Sequence, residues 1–216
     1  MRVVTFVTQK GGSGKTTLAA SVGVAAQEAG ERVFLIDLDP QGSLASWGER
    51  RQADEPAVDR ISPEKLGAAL RGLEKAGYTL AIIDTAGVDS SAAASAMRDS
   101  DLALIPARPS ALDIEAAKPT IGALARMGRS FAFVLNQVPP GRTSRPTDAS
   151  KALGLLGVLA QPFIVQRADH MDAVALGLGV TEHDSNGKAA EEVRAFWGWI
   201  KRKMEGKHHG EAAAVA

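Results

Sequence analysis

The sequence predicts a doubly wound α/β domain, with a mostly parallel sheet covered by helices on both faces. Three observations carry this. Short apolar runs rich in β-branched residues recur at 3–7, 32–36, 80–83, 102–105, 131–135 and, more weakly, 162–165. Helical stretches alternate with most of them, at 16–29, 63–76, 90–98, 110–128, 146–156 and 168–177. Strands that are apolar throughout are buried on both faces, and strands joined by helices run parallel, so the two patterns together require a sheet between helical layers. The third observation is size: 216 residues, 45% hydrophobic and 23% charged, suit one compact domain with a sizeable core.

Each element has a local reason. Run 3–7 enters Thr8, Gln9, Lys10, Gly11 and Gly12, a glycine turn, and the alanine-rich helix that follows meets Gly30 where a C-terminal cap belongs. The second and third runs each finish on a carboxylate, Asp37 and Asp84. Residues 49–63 mix seven charges with two prolines and read as an exposed connection. Pro119 lies inside the stretch 110–128, where a missing N–H predicts a kink or a fresh helix start. From Lys188 onward, Ala189, Val193, Phe196, Trp197, Ile200 and Met204 recur at helical spacing, so a closing helix buries that stripe. Residues 1–205 are expected to form a single domain and 206–216, with two histidines and a run of alanines, a disordered tail.

Composition removes several classes of protein. Without cysteine there is no disulfide framework, thiolate zinc site or cysteine-ligated iron–sulfur cluster. Lys and Arg number 25 against 25 Asp and Glu, so any nucleic-acid partner would meet a local basic patch rather than a uniformly basic coat. The first apolar run is too short and too β-branched for a secretion signal, and no later run reaches the length of a membrane span. A soluble, cytoplasmic protein is expected.

The densest chemical signal is Lys10-Gly11-Gly12-Ser13-Gly14-Lys15-Thr16-Thr17. A phosphate loop needs small residues so that successive backbone N–H groups can turn toward a phosphate. It also needs a lysine for the β- and γ-oxygens and a hydroxyl for Mg²⁺. Gly14, Lys15 and Thr16 meet the second half of that pattern. The usual first glycine would fall at Gln9, and a lysine stands at position 10 instead. A dinucleotide fingerprint fits poorly, because Thr17 occupies the place of its third glycine. Asp37 and Asp39 alternate along an extended segment and so share one face at the carboxyl edge of the sheet, although Asp39-Pro40 is also a common turn pair.

These residues, KGGSGKTT at 10–17, IDLDPQGS at 36–43 and AIIDTAG at 81–87, with LIPARPSALDIEAA at 104–117 and AVALGLGV at 173–180, resemble the deviant Walker A ATPases, and among them the ParA partition proteins. The likeness runs over nearly the whole chain in order and implies a P-loop NTPase fold of deviant Walker A type. It implies that ATP and Mg²⁺ are the cofactors, with Gly11, Gly12, Ser13, Gly14, Lys15, Thr16 and Thr17 on the phosphates. Lys10 would reach across a dimer interface to the partner's nucleotide, so Lys10, Lys15 and Asp39 are the catalytic set, with Asp39 orienting water. Thr16, Asp37 and Asp84 would serve the metal, and Gln41 and Ser43 would lie near the dimer seam. Asn136 and the Pro162-Phe163 pair occupy places where the family contacts adenine, although Asn136 is equally a turn asparagine. Residues 136–139 read Asn-Gln-Val-Pro, which lacks the guanine-specific carboxylate and favours ATP.

Position 85 is threonine, so no glutamate follows Asp84 as a strong general base, and slow hydrolysis stimulated by a partner is expected. The family's proline-rich turn after this strand is replaced by Thr85-Ala86-Gly87. The resemblance further implies an ATP-bound homodimer on nonspecific DNA, nucleoid-associated, released by a ParB-like or adaptor protein and moving a cargo. Six basic against three acidic residues between 188 and 207 supply a local excess. Arg167, Lys188, Arg194, Lys201, Arg202 and Lys203 are the DNA candidates, with Arg142 and Arg145 adding to them. The alternative is a MinD-like positioning ATPase whose terminal basic amphipathic helix lies on lipid. The continuation of the chain past Gly206 and the placement of the tryptophans on a packing face favour DNA, and no membrane partner is expected. The start at the first strand implies that the operator-binding domain of some relatives is missing.

Overall fold

The computed structural model describes residues 1–87, 90–141 and 145–213, apart from the side chains of Arg145 and of residues 207–213. Its six strands are Arg2–Phe6 (β1), Val33–Asp37 (β2), Ala57–Arg60 (β3), Leu80–Asp84 (β4), Leu102–Ala107 (β5) and Phe131–Leu135 (β6). They form one sheet in the order β3-β2-β4-β1-β5-β6, parallel at every pairing. The helices are Lys15–Glu28 (α1), Ser43–Arg50 (α2), Leu66–Lys75 (α3), Ser91–Asp99 (α4), Ala111–Arg126 (α5), Arg145–Leu156 (α6), Ala168–Ala175 (α7), Val180–His183 (α8) and Lys188–Ala213 (α9).

The period-2 alternation of strand side chains divides the core between two faces. Leu80 and Ile82 of β4 pack with Leu18 of α1, Trp47 of α2 and Val193 and Phe196 of α9. Their neighbours Ala81 and Ile83 point the other way, onto Leu66 and Leu70 of α3 and Ala92 and Ala96 of α4. A third cluster joins β5 and β6 to Met97, Leu124 and Leu153 of α4, α5 and α6. The helical layers on both faces explain the unbroken apolar runs. The stripe from Ala189 to Met204 is buried as expected, every one of its six residues at 4% exposure or less.

The departures from expectation are local. β3 lies inside the segment read as a connection; its four residues include Asp59 and Arg60, which face solvent at the sheet edge and hide the strand pattern. The weak run 162–165 is not a strand. Pro162 has no N–H to donate to a ladder, and residues 158–166 follow β6 only through scattered backbone bonds and the bridges Phe133–Leu159 and Val138–Val165. α5 runs through Pro119 as one helix. α2 and α8, short helices of eight and four residues, were not anticipated. α9 continues past Glu205 to Ala213, consistent with the helix-forming alanines there, and residues 214–216 of the expected tail lie outside the described residues.

Topology places the site. The chain leaves β1, builds β2 and β3 on one side, returns to β4 beside β1, and then builds β5 and β6 on the other. The reversal of direction at β1 opens a crevice beyond the carboxyl ends of the central strands, where ligands bind in such sheets.

Candidate functional site

β1 delivers the glycine turn into that crevice. Gly12 and Gly14 take left-handed φ of 72° and 88°, and a Cβ on Gly14 would fall 2.4 Å from Asn136 Nδ2, so only glycine fits there. Leu18 N–H donates to Gly14 carbonyl, starting α1 directly from the loop. A cavity of about 560 Å³ opens over this turn. It is walled by Gly11, Gly12 and Gly14 to Thr17 of the loop, by Asp39, Pro40, Gln41 and Ser43 after β2, and by Ala86 and Gly87 after β4. Gly87 sits so close that a Cβ would meet Gly11 Cα at 3.2 Å.

Within the cavity, Lys15 is 7% exposed, and burial draws its ammonium below the usual lysine range, opposed by the charges of Asp84 and Asp39. Thr16 hydroxyl donates to Asp84 Oδ2 at 2.5 Å, while Asp84 Oδ1 is buried with no partner among the described residues. Burial, aided by Asp37 and Asp39, pushes the Asp84 carboxyl up to about 7 against the pull of Thr16 and Lys15. An orphaned carboxylate oxygen beside a hydroxyl suits a hard divalent cation held partly through water, so the donors fit Mg²⁺. Protonation is the alternative way to neutralise it.

That shift sets a pH dependence. Asp84 holds a proton in the folded chain where the unfolded chain has lost it, so its contribution to stability declines as pH rises from the ordinary carboxylate range to about 7. His170 opposes it: burial lowers its pKa, and its contribution grows with pH in an overlapping window. The gap in melting temperature between wild type and Asp84→Asn, without nucleotide, isolates Asp84. It should move against the wild type between roughly pH 4 and 7; a constant gap would place the titration elsewhere.

Asp37, paired in register with Asp84, is tied into the turn after β2. Its Oδ1 accepts from Asp39 N–H and its Oδ2 from Ala45 N–H, each at 2.9 Å, and it lies outside the phosphate cavity. The carboxylate shapes the turn that presents Asp39, and its charge is felt at Asp84. Asp39 Oδ1 accepts from Gln41 N–H, and Arg60 of β3 donates to Pro40 carbonyl, bracing the same turn from the sheet edge. Thr85 hydroxyl is committed to Phe6 carbonyl at 2.9 Å, so it stitches β4 to β1 and is not poised on the cavity. Lys10 is half-buried at the rim; its ammonium has no hydrogen bond or ion pair among the described residues, and it does not line its own chain's phosphate cavity.

A second cavity, of about 160 Å³, adjoins the loop at Gly14, Thr17 and Leu18 and is closed by Asn136, Gln137, residues 165–167, His170 and Met171. Asn136 lines it; its NH₂ donates one proton to Ser13 carbonyl at 2.8 Å, which leaves the second N–H and the amide oxygen for a purine. Pro162 and Phe163 do not line it; Phe163 packs against the core beneath β6. Gln137, unmarked in the sequence reading, donates its amide to Gly12 carbonyl at 2.9 Å.

The candidate DNA residues divide. Arg167 pairs with Glu192 at 2.6 Å and lines the second cavity, so its charge is already neutralised there. Arg194 donates to Ser185 and Thr181 carbonyls and lies 3.6 Å from Glu28; Lys201 is 3.8 Å from Glu31. Lys188, Arg202 and Lys203 have no hydrogen bond or ion pair among the described residues. Arg142 and the side chain of Arg145 lie outside the described residues.

The family model described as the CobQ/CobB/MinD/ParA nucleotide binding domain matches residues 4–192. Over 46 residues, 21% of this chain, the sequence is 52% identical to the chromosome partitioning protein ParA of Caulobacter vibrioides, of which that stretch is 17%. Over 52 residues it is 54% identical to the maintenance of carboxysome distribution protein A of Gloeobacter kilaueensis, covering 24% of each. The chain thus spans less than a quarter of the length of these curated relatives. In fold it is similar to a chain of the MinC:MinD cell division protein complex of Aquifex aeolicus, with a TM-score of 0.77 and 21% identity over 95% of this chain and 96% of that one.

Proposed function

Since this chain belongs to the CobQ/CobB/MinD/ParA nucleotide-binding domain family, we propose that it is an ATPase whose ATP-bound form is a homodimer. It binds DNA without sequence preference and hydrolyses ATP slowly to position or partition a cargo. The observation that carries this is Lys10: a cation at the rim of the phosphate cavity with no partner among the described residues and no place in its own chain's cavity. A charge so placed is suited to a triphosphate presented by a second copy. Two such copies face each other by a twofold operation, and each completes the other's site.

The residues divide the work. Backbone N–H groups of the glycine turn and the Lys15 ammonium hold the phosphates, and Thr16 and Asp84 would hold the Mg²⁺, which neutralises charge on the β- and γ-oxygens. Asp39 orients the attacking water. With Thr85 tied to Phe6, no strong base stands after Asp84, so catalysis rests on positioning and electrostatics and turnover is slow. A slowly hydrolysing dimer is a switch whose state persists long enough for an adaptor to read and reset it.

DNA is favoured over lipid because the apolar stripe of α9 is buried in the core, leaving Lys188, Arg202 and Lys203 to meet phosphates. No helix among the described residues is long and apolar enough to cross a membrane. Sizing the protein with ATP, ADP and a slowly hydrolysed analogue, with and without random duplex DNA, tests the reading. ATP should double the mass and ADP should not, and only the dimer should shift DNA, with an affinity that falls steeply with salt. Asp39→Ala should hold the dimer on DNA. A protein that stays monomeric with every nucleotide would overturn the proposal.

A further inference from the structure

We propose that Gln137 is a positioning residue for the phosphate loop, its side-chain amide fixing the Gly12–Ser13 peptide so that the Ser13 N–H faces the phosphate. The inference rests on the reading of the first cavity as a nucleotide site and adds to it a residue from outside the loop. It starts from an outlier. Among the described residues, Gln137 is the one non-glycine with a left-handed backbone, at φ 53°, while the eight other positive-φ positions are all glycine. Glycine would adopt that conformation without strain, so a side chain is kept there against a conformational penalty. Its polar contact is the 2.9 Å hydrogen bond from Nε2 to Gly12 carbonyl.

The geometry of a trans peptide gives that bond its consequence. The C=O of one residue and the N–H of the next point in opposite directions. Holding Gly12 carbonyl toward Gln137 therefore turns the Ser13 N–H the other way, and Asn136 does the same for the Gly14 N–H through Ser13 carbonyl. These planes need outside support, because a loop built on Gly11, Gly12 and Gly14 has little steric preference of its own. Gln137 and Asn136 follow one another at the end of β6 and clamp successive peptides.

Titrating MgATP calorimetrically into wild type, Gln137→Gly and Gln137→Glu, with melting temperatures alongside, tests this. Glycine removes the amide and relieves the backbone, so the variant should melt at or above the wild-type temperature yet bind MgATP about fivefold more weakly. Glutamate keeps the length but offers an acceptor to a carbonyl, so it should lose at least as much. Because the N–H groups hold phosphate in ground and transition states alike, the loss should fall on KM more than on kcat. Gln137→Gly binding MgATP within about twofold of wild type would overturn the role. Wild type failing to bind MgATP would instead overturn the nucleotide reading itself.

Discussion

Lys15→Ala is expected to abolish MgATP binding while leaving the fold intact. The ammonium is buried beside Asp84 and Asp39 in the floor of the phosphate cavity, and its pKa is lowered by the loss of water around it. A cation held in that way, without a full set of protein hydrogen bonds, is stored for an anion. Charge-assisted hydrogen bonds are worth about 1.5–3 kcal/mol each, so losing contacts to two phosphoryl oxygens amounts to about 3–6 kcal/mol. Affinity should therefore fall by at least about a hundredfold. Stability without nucleotide should change little or rise, because a desolvated cation is removed and Asp84, already displaced to about 7, can take up a proton in its absence. Calorimetric titration with MgATP and a thermal melt of the same preparation read the two effects separately. A Lys15→Ala protein that bound MgATP with wild-type affinity would place the phosphates somewhere other than this cavity.

The sequence carried most of the sheet, because a parallel sheet between two helical layers turns burial into uninterrupted apolar runs, and five such runs became β1, β2, β4, β5 and β6. It was silent where burial was partial. β3 is an edge strand of four residues carrying Asp59 and Arg60, and its charged side chains obscure any period. Run 162–165 reads as a strand by composition, yet Pro162 and the irregular path beside β6 leave only bridges. The phosphate loop was legible because its backbone conformation demands particular residues, glycine at φ 72° and 88°, in a fixed order. The support behind it was hidden. Asn136 and Gln137 act on Ser13 and Gly12 from more than a hundred positions away, and nothing in local spacing marks an amide as a brace rather than a base contact. Arg167 and Arg194 counted as free positive charge in the sequence, whereas folding brings Glu192 and Glu28 to them.

Lys10→Ala should leave each protomer able to bind MgATP and prevent ATP-driven dimerisation. The side chain does not line its own chain's phosphate cavity, so removing it should change nucleotide affinity in the monomer by no more than about threefold, an effect of long-range charge alone. In a twofold dimer the loss occurs twice, since both protomers contribute the cation, and two triphosphates would then approach across one seam without it. A desolvated anion left unpaired at an interface typically forfeits about 2–5 kcal/mol. Two such sites are enough to move a micromolar dimer beyond any practical protein concentration. Light scattering after size exclusion, at equal protein concentration with and without MgATP, reads the result. Mixing adds a sharper arm: Lys15→Ala cannot hold ATP but keeps its Lys10, and Lys10→Ala holds ATP but lacks the reaching cation. Together they rebuild one composite site, so ATP-dependent heterodimers should appear in the mixture and in neither protein alone. Dimers of Lys10→Ala by itself would remove this lysine from the interface and return it to the role of a solvated loop residue.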